Sequence, residues 1–230
     1  MSVREMMARL NAKTIRYDVG RGGKPELTDQ DIAAAVGMCA NETARELFCW
    51  IWWPSAVGAR TAATRKLVLQ EVWKEYNDRY VAVETARLAV HNFECILAGA
   101  HRISEDDRQE LERRRATVRH VHASVWPARM EMYARIVDTV VEEIRSPRPC
   151  PDCSGRGHRP VDGVVRTCSR CNGQGHVREF NTWRAARLGV SESRYRATWS
   201  VVYDWVFKTL DELEQEARST IEEALGRDAA

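Results

Sequence analysis

Apolar residues recur at helical intervals over most of this chain. Between residue 41 and about 145 they return every three to five positions, as at Leu67, Val72 and Tyr76, and this period places them on one face of a helix. A helix start is predicted at Thr28, with Asp31 in the capping-box position, and a second at Ser104, which acidic residues follow. No alternating strand of useful length precedes residue 158. The pattern predicts a mainly α-helical protein.

The composition changes at residues 146 to 151, where three prolines end the helical region. A stretch rich in glycine and cysteine follows from 150 to 177, and apolar spacing then predicts a short helix at 180–189 and a long one from 191 to about 225. We therefore divide the chain into four segments: a flexible N-terminal segment at 1–26, a helical body at 27–146, a zinc-binding hairpin at 147–179, and a helix-turn-helix with a long last helix at 180–230.

Two Cys-x-x-Cys motifs give the strongest chemical signal. They begin 18 residues apart, as CPDCSGRGH and CSRCNGQGH, and the interval between them suits a short hairpin that turns at Asp162-Gly163. Four thiolates favour tetrahedral zinc and leave no open position for water, so the site is expected to be structural, with one zinc per chain. The predicted ligands are Cys150, Cys153, Cys168 and Cys171.

Two alternatives concern the metal site. Iron is the alternative ion, because a rubredoxin-type site also uses paired cysteine motifs. His158 and His176 follow the two motifs symmetrically, and either histidine could replace a cysteine as a ligand.

Charge is distributed unevenly along the chain. The formal net charge is only +2, but residues 145 to 200 contain eleven arginines, no lysine and four carboxylates, whereas the next thirty residues contain eight carboxylates. Arginine suits bidentate contact with phosphate and with guanine. The segment is therefore expected to bind nucleic acid.

Within the arginine-rich segment, NTWRAARLGVSESRYRATWS matches a helix-turn-helix. Ala185 is the small residue where the two helices approach, Gly189 occupies the turn, and Ser191 caps the second helix. Arg184 departs from the pattern, since an apolar residue is usual at its position. The residues predicted to contact double-stranded DNA are Arg184, Arg187, Ser191, Glu192, Ser193, Arg194 and Arg196. A helical hairpin with a solvated arginine face is the alternative.

The tryptophan-rich run CWIWWP at 49–54 has two interpretations. It belongs to the core, as buried tryptophans usually do, or it forms an aromatic patch that faces a partner.

The runs CPDCSGRGHRPVD, CSRCNGQGH and ATWSVVYDW together resemble the Q antitermination proteins of lambdoid phages, as does LTDQDIAAAVGM at 27–38. The similarity covers about 27–38 and 150–210. The middle of the chain, 41–145, departs from the family pattern and has the character of a helical insert.

The resemblance implies a function in transcription. Proteins of this family bind DNA at a late promoter, join host RNA polymerase holoenzyme that is paused with sigma still attached, and then make it read through terminators. A promoter-bound repressor or activator without antitermination activity is the alternative.

Other classes of protein fit the sequence less well. No run approaches the roughly 18 apolar residues that a membrane helix requires, and the start resembles no signal peptide, so a location in the cytoplasm of a bacterial host, with no membrane partner, is expected. The sequence has no phosphate-cradling loop or catalytic histidine cluster, so we expect neither an enzyme nor a small-molecule substrate. A DnaJ-type chaperone would carry four cysteine repeats and a His-Pro-Asp turn, which are missing from the sequence.

Overall fold

The computed structural model describes Met7 and residues 29–53, 59–161 and 164–226. The predicted cap at Thr28 and the predicted turn at Asp162-Gly163 lie outside the described residues, as does the predicted flexible segment 1–26 apart from Met7. Described residues are mainly helical, as the apolar pattern predicts.

The elements run in the following order. Five helices come first: α1 (Asp29–Gly37), α2 (Glu42–Trp52), α3 (Ala59–Ala98), α4 (Glu105–Ala123) and α5 (Met130–Arg145). Four short strands follow: β1 (Arg148–Pro149), β2 (His158–Val161), β3 (Val164–Thr167) and β4 (His176–Val177). The C-terminal part contains α6 (Asn181–Leu188), α7 (Glu192–Arg194), a π-helical turn (Tyr195–Trp199) and α8 (Ser200–Ala224).

Helices α1 and α2 pack against the last helix, α8. The side-chain oxygen of Asn41 caps α2 by accepting a hydrogen bond from the backbone amide of Ala44. The side-chain amide nitrogen of Asn41 donates to the Glu216 carboxylate at 2.9 Å. The Trp52 indole donates to Glu214 at 2.9 Å. The shared core contains Met7, Ile32, Ala35, Val36, Cys39, Ala44, Phe48, Cys49, Ala217 and Ile221.

The tryptophan-rich run borders this same core. Trp52 and Trp53 are partly buried against it, and Ile51, within α2, is buried. The described part of the run, residues 49–53, therefore packs at the core, and Pro54 lies outside the described residues.

Helix α5 presents a buried stripe at three- and four-residue spacing, with Tyr133, Ile136, Val137, Val140 and Ile144. It packs on the π-helical turn, where the rings of Tyr133 and Trp199 meet edge to face with centroids 6.3 Å apart. The apolar face that the sequence predicts for residues 130–144 is thus the face that is buried.

The chain separates into two compact units. One contains residues 1–68 and 131–230, and the other contains 69–130. The predicted body at 27–146 spans both units, and α1 and α2 share an apolar core with α8, which follows them by more than 140 residues. Local sequence patterns do not predict this packing, because the helices involved are far apart in the chain.

The unit at 69–130 combines a few buried apolar residues, such as Val72, Val83 and Trp126, with several polar contacts. Ser104 and Asp107 form a capping box at the start of α4, as the sequence predicts. Arg115 pairs with Glu94 at 2.8 Å, and the Arg114 guanidinium lies over the ring of Phe93. Since α4 has no buried residue, its charged surface is a solvated face.

Among the residues that the structure describes, none of the helices combines the length and the apolar character needed to cross a membrane.

Candidate metal centre and the neighbouring helices

The four cysteines of the two motifs converge on one buried point. Their sulfur atoms all lie within 4.8 Å of one another. The Sγ atoms of Cys150 and Cys168 are 3.9 Å apart, and those of Cys153 and Cys171 are 3.8 Å apart. A tetrahedral ion with Zn–S bonds of about 2.3 Å would place its sulfurs roughly 3.8 Å from one another. The cluster therefore fits a metal ion of this size.

The repeat in the sequence produces a repeat in the backbone. The Cys150 amide donates to the Gly175 carbonyl at 2.8 Å, and the Cys168 amide donates to the Gly157 carbonyl at 2.8 Å. Strands β1 and β4 pair antiparallel, and so do β2 and β3. Each motif thus closes on the other, and the two share one site.

Backbone amides also stabilise the sulfurs. The amide of Gly157 donates to Cys153 Sγ at 3.2 Å, and the amide of Gly175 donates to Cys171 Sγ at 3.3 Å. These hydrogen bonds favour thiolates, because they place partial positive charge beside the developing anion.

Only glycine fits at Gly157 and Gly175. Their φ angles are +75° and +79°, a conformation that side chains disfavour. A Cβ on Gly157 would collide with the carbonyl oxygen of Gly173, and one on Gly175 would collide with that of Gly155. The glycines of the motifs are therefore required by close contact between the two backbone turns.

The thiols of the second motif differ in acidity. Hydrogen bonds from the backbone, above all from the Cys171 amide, lower the pKa of Cys168 to about 7. Desolvation raises the pKa of Cys171 to about 11. Four thiolates in one buried site repel one another, so full ionisation requires a bound cation.

The cluster of four sulfurs contains neither histidine. His158 lies exposed in β2 and His176 lies half-buried in β4, and neither belongs to the group of candidate ligands. The alternative of a histidine ligand receives no support from this geometry.

Two helices follow the metal centre at a close interval. Helix α6 ends at Gly189, whose φ of +68° is left-handed, and the Ser191 hydroxyl then accepts from the Arg194 amide to cap α7. Ala185, Leu188 and Tyr195 are buried. Ala185 is thus a buried small residue, Gly189 lies between the two helices and Ser191 caps the second.

The residues predicted to contact DNA differ in their exposure and in their ion pairs. Ser191, Ser193, Arg194 and Arg196 are exposed, and Glu192 is half-buried. Arg196 forms an ion pair with Glu192, and the exposed Arg187 pairs with Glu142 at 2.6 Å. The exposed side of α7 and the π-helical turn therefore presents two arginines and two serines.

Arg184 requires a correction. It is among the residues predicted to contact DNA, but only 5% of its surface is exposed. Its Nε and Nη2 atoms donate to the Glu143 carboxylate at 3.0 and 2.6 Å. A guanidinium held in this way faces the protein interior and is not available to a nucleic acid.

Contacts on both sides attach the metal centre to the helices. The Glu179 amide donates to Glu143 at 2.9 Å. Arg178 pairs with Asp204 of α8 at 2.9 Å, and its guanidinium lies 4.0 Å from the ring centroid of Phe207. Arg148 lies over Phe180 at 3.9 Å. The two cysteine motifs with strands β1 to β4, called the knuckles below, therefore contact α5, α8 and the start of α6 directly.

Sequence reasoning missed Glu143 and Arg178. Glu143 occurs in the amphipathic pattern of α5, and one signal of its role is that an acidic residue interrupts the buried stripe between Val140 and Ile144. The π-helical turn at Tyr195–Trp199 was also missed, because the three-four spacing of its apolar residues is the same as in an α-helix.

A scan against protein-family models finds no family that matches the chain, and a search of curated proteins finds no relative.

Proposed function

We propose that this protein is a phage late-gene transcription antitermination factor. It binds DNA at a late promoter, joins host RNA polymerase holoenzyme that still contains sigma, and causes the polymerase to read through terminators. One observation carries the proposal: a buried four-cysteine cluster contacts the helical segment that follows it, and the exposed side of that segment carries Arg194 and Arg196. The resemblance of the same segments to the Q antitermination proteins supports the step from DNA binding to antitermination.

Zinc is the proposed ion. The sulfur spacing suits a tetrahedral metal, and four cysteine ligands leave no position for water or substrate. The residues that would hold the ion are Cys150, Cys153, Cys168 and Cys171, and its role would be to fold the knuckles, which contain almost no other buried side chain. Iron is the alternative ion, and metal analysis distinguishes the two.

DNA would be read by the helix that starts after Ser191. A helix-turn-helix places the N-terminal part of its second helix in the major groove, and in this chain that part carries Ser191, Ser193 and Arg194, with Arg196 one turn further. Arg187 at the end of α6 is close in sequence and exposed, which suits contact with a phosphate. Arginine and serine are both groups that hydrogen-bond to bases or to phosphates.

RNA polymerase is the proposed second partner. The unit at 69–130 has a highly charged surface that DNA reading by α7 does not require. DNA contact would then raise the local concentration of the protein beside a paused polymerase and so promote loading.

The alternative function is that of a repressor or activator that remains at the promoter. It uses the same metal centre and the same helices, and the two functions differ only in what happens after initiation.

In vitro transcription distinguishes them. Purified protein is added to RNA polymerase holoenzyme on templates that carry a candidate late promoter upstream of a distant terminator. An antitermination factor increases the fraction of transcripts that pass the terminator at an unchanged number of initiations. A promoter-bound regulator changes the number of initiations and leaves the readthrough fraction constant.

A further inference from the structure

We propose that the sheet formed by β2 and β3 is a second contact for duplex DNA, and that Arg159 and Arg166 bind phosphates of its backbone. This contact rests on the proposed DNA-binding function and adds to it two residues outside the helices.

The two arginines lie directly opposite each other across the sheet. The register pairs Arg159 with Arg166, and both side chains are exposed. Like charges in directly opposed positions destabilise a pair of strands. An anionic partner on this face would attract both guanidinium groups and so offset the repulsion between them.

No carboxylate of the described residues neutralises this pair. Elsewhere in the knuckles Arg170 pairs with Asp152 at 2.9 Å, and Arg178 pairs with Asp204. Arg159 and Arg166 have neither an ion pair nor a side-chain hydrogen bond with any residue that the structure describes. Within the described part of the chain, their guanidinium groups therefore have no partner that would compete with a ligand.

Duplex DNA fits this surface better than a small anion does. The sheet is a two-stranded ribbon with no buried face, since Val164 and Val165 on β3 are also exposed, so it offers no pocket. A ribbon with paired arginines can lie along a polyanion, and a guanidinium matches the geometry of a phosphate.

The attachment of the knuckles to the helices favours the same duplex for both contacts. Arg178 joins the end of β4 to α8 through Asp204 and Phe207, and Arg148 of β1 lies over Phe180 just before α6. The amide of Cys168 donates to the Gly157 carbonyl at the base of β2 and β3, and the amide of Cys150 donates to the Gly175 carbonyl beside β4. The β2–β3 ribbon is therefore linked through the cysteine motifs to the part of the chain that contacts α6 and α8, and a duplex bound to the helices is the polyanion proposed for it.

Salt dependence of binding tests the proposal. The double variant Arg159→Gln/Arg166→Gln is compared with the full-length protein and with Arg108→Gln/Arg113→Gln, which removes the same charge from the exposed surface of α4. Affinity for a fluorescently labelled random-sequence DNA duplex is measured over a range of salt concentrations. Because each lost phosphate contact reduces the slope of log K against log salt by about 0.9, the test variant should have a slope shallower by about 1.8. The control variant should keep the slope of the unmodified protein.

Further variants distinguish the outcomes. Arg159→Lys/Arg166→Lys should restore most of the slope, since a phosphate contact needs the positive charge, and zinc content should be equal in all variants. An unchanged slope for the glutamine variant overturns the inference while leaving the proposed function intact. If the unmodified protein binds no duplex, the proposed function itself fails. If the glutamine variant loses affinity for single-stranded RNA but not for duplex DNA, RNA is the ligand of the sheet and the inference is wrong.

Discussion

Glu143 joins three elements through one buried carboxylate. Its oxygens accept from Arg184, from the Tyr203 hydroxyl at 2.7 Å and from the Glu179 amide at 2.9 Å. Burial alone would lower the pKa of Arg184, but the Glu143 carboxylate outweighs burial and the pKa is raised. Desolvation raises the pKa of Tyr203, so its hydroxyl stays neutral and donates. The charge of Glu143 is therefore needed to keep Arg184 in the interior.

Substitution of Glu143 by glutamine should destabilise the protein strongly. It removes the charge while keeping the size of the side chain, and removal of one partner from a buried ion pair typically costs about 3–5 kcal/mol. Urea unfolding monitored by tryptophan fluorescence measures the loss. Arg187→Ala is the matched control, because its ion pair with Glu142 is half exposed and should contribute less than about 1 kcal/mol. Equal midpoints for the two variants would show that the Glu143 pair contributes little.

Alanine at Gly157 should prevent the knuckles from closing. The added Cβ meets the Gly173 carbonyl, and the positive φ is unfavourable for any side chain. Purified Gly157→Ala protein should contain far less zinc than the unmodified protein. Gly37→Ala is the control, since a Cβ there meets open space, and its zinc content should not change. Full zinc occupancy in Gly157→Ala would mean that the two backbone turns can separate without losing the site.

Among elements, the two cysteine motifs are expected to depend on a bound metal. Of the described residues outside the cluster, Val177 is the one apolar residue that packs against the four cysteines, and so small an apolar contact cannot offset the entropy of ordering the turns. Metal binding would supply that free energy. Cys150→Ser is therefore predicted to lose zinc and the ordered structure of 148–161 and 164–177. Cys95→Ser, which changes an exposed cysteine outside the cluster, should keep both. Zinc analysis and proteolysis of the two variants compare them, and an intact, zinc-loaded Cys150→Ser protein would contradict the site.

Zinc affinity should depend on pH in a particular direction. Between about pH 7 and 11 the Cys171 thiol is protonated in the metal-free protein, and zinc must displace that proton. Below about pH 7 the Cys168 thiolate is protonated as well, so zinc must displace one more proton and the affinity should fall more steeply. Competition with a chromophoric chelator over this pH range measures the effect. If the zinc affinity changed between pH 8 and pH 6 by no more than the experimental error, thiolates would not be the ligands.

The helix after Ser191 should carry the sequence preference for DNA. Arg194→Ala/Arg196→Ala removes both exposed arginines of that helix. If one of them contacts a base bidentately, binding to a selected site should weaken by about 1–3 kcal/mol and the preference over random DNA should shrink. Selection from a random duplex pool, followed by fluorescence titration, supplies the site and the measurement. Preserved affinity and preference in this variant would place the DNA contact elsewhere.

Local patterns in the sequence predict the helices and the metal site, but they do not predict contacts between residues that are far apart in the chain. The spacing of the cysteines identifies the four-sulfur cluster because two short motifs contain all the ligands, and Ser191 and Gly189 identify the helix boundaries because capping is local. The prediction that Arg184 contacts DNA is wrong because its partner Glu143 is 41 residues away, and the one local signal of its burial is that it occupies a position where an apolar residue is usual. The packing of α2 on α8 was equally invisible, since it joins residues more than 160 positions apart.

At the scale of the whole molecule, one compact unit contains the metal centre, the helices after it and the early helices α1 and α2, and a second unit contains residues 69–130. The segments that resemble the Q proteins, 27–38 and 150–210, fall in the first unit. The second unit lies within residues 41–145, the part of the chain that departs from the family pattern, but α2 and α5, which also belong to that part, fall in the first unit.

In the proposed function, DNA contact serves to load the protein onto polymerase, after which the protein travels with the enzyme. It is tested by readthrough of a distant terminator on a late-promoter template, with an excess of competitor duplex carrying the binding site added after elongation has begun. If the protein travels with polymerase, late competitor leaves readthrough unchanged, whereas competitor added before initiation abolishes it. Loss of readthrough on late addition would contradict the account, because it would show that the protein acts only while it remains on its DNA site.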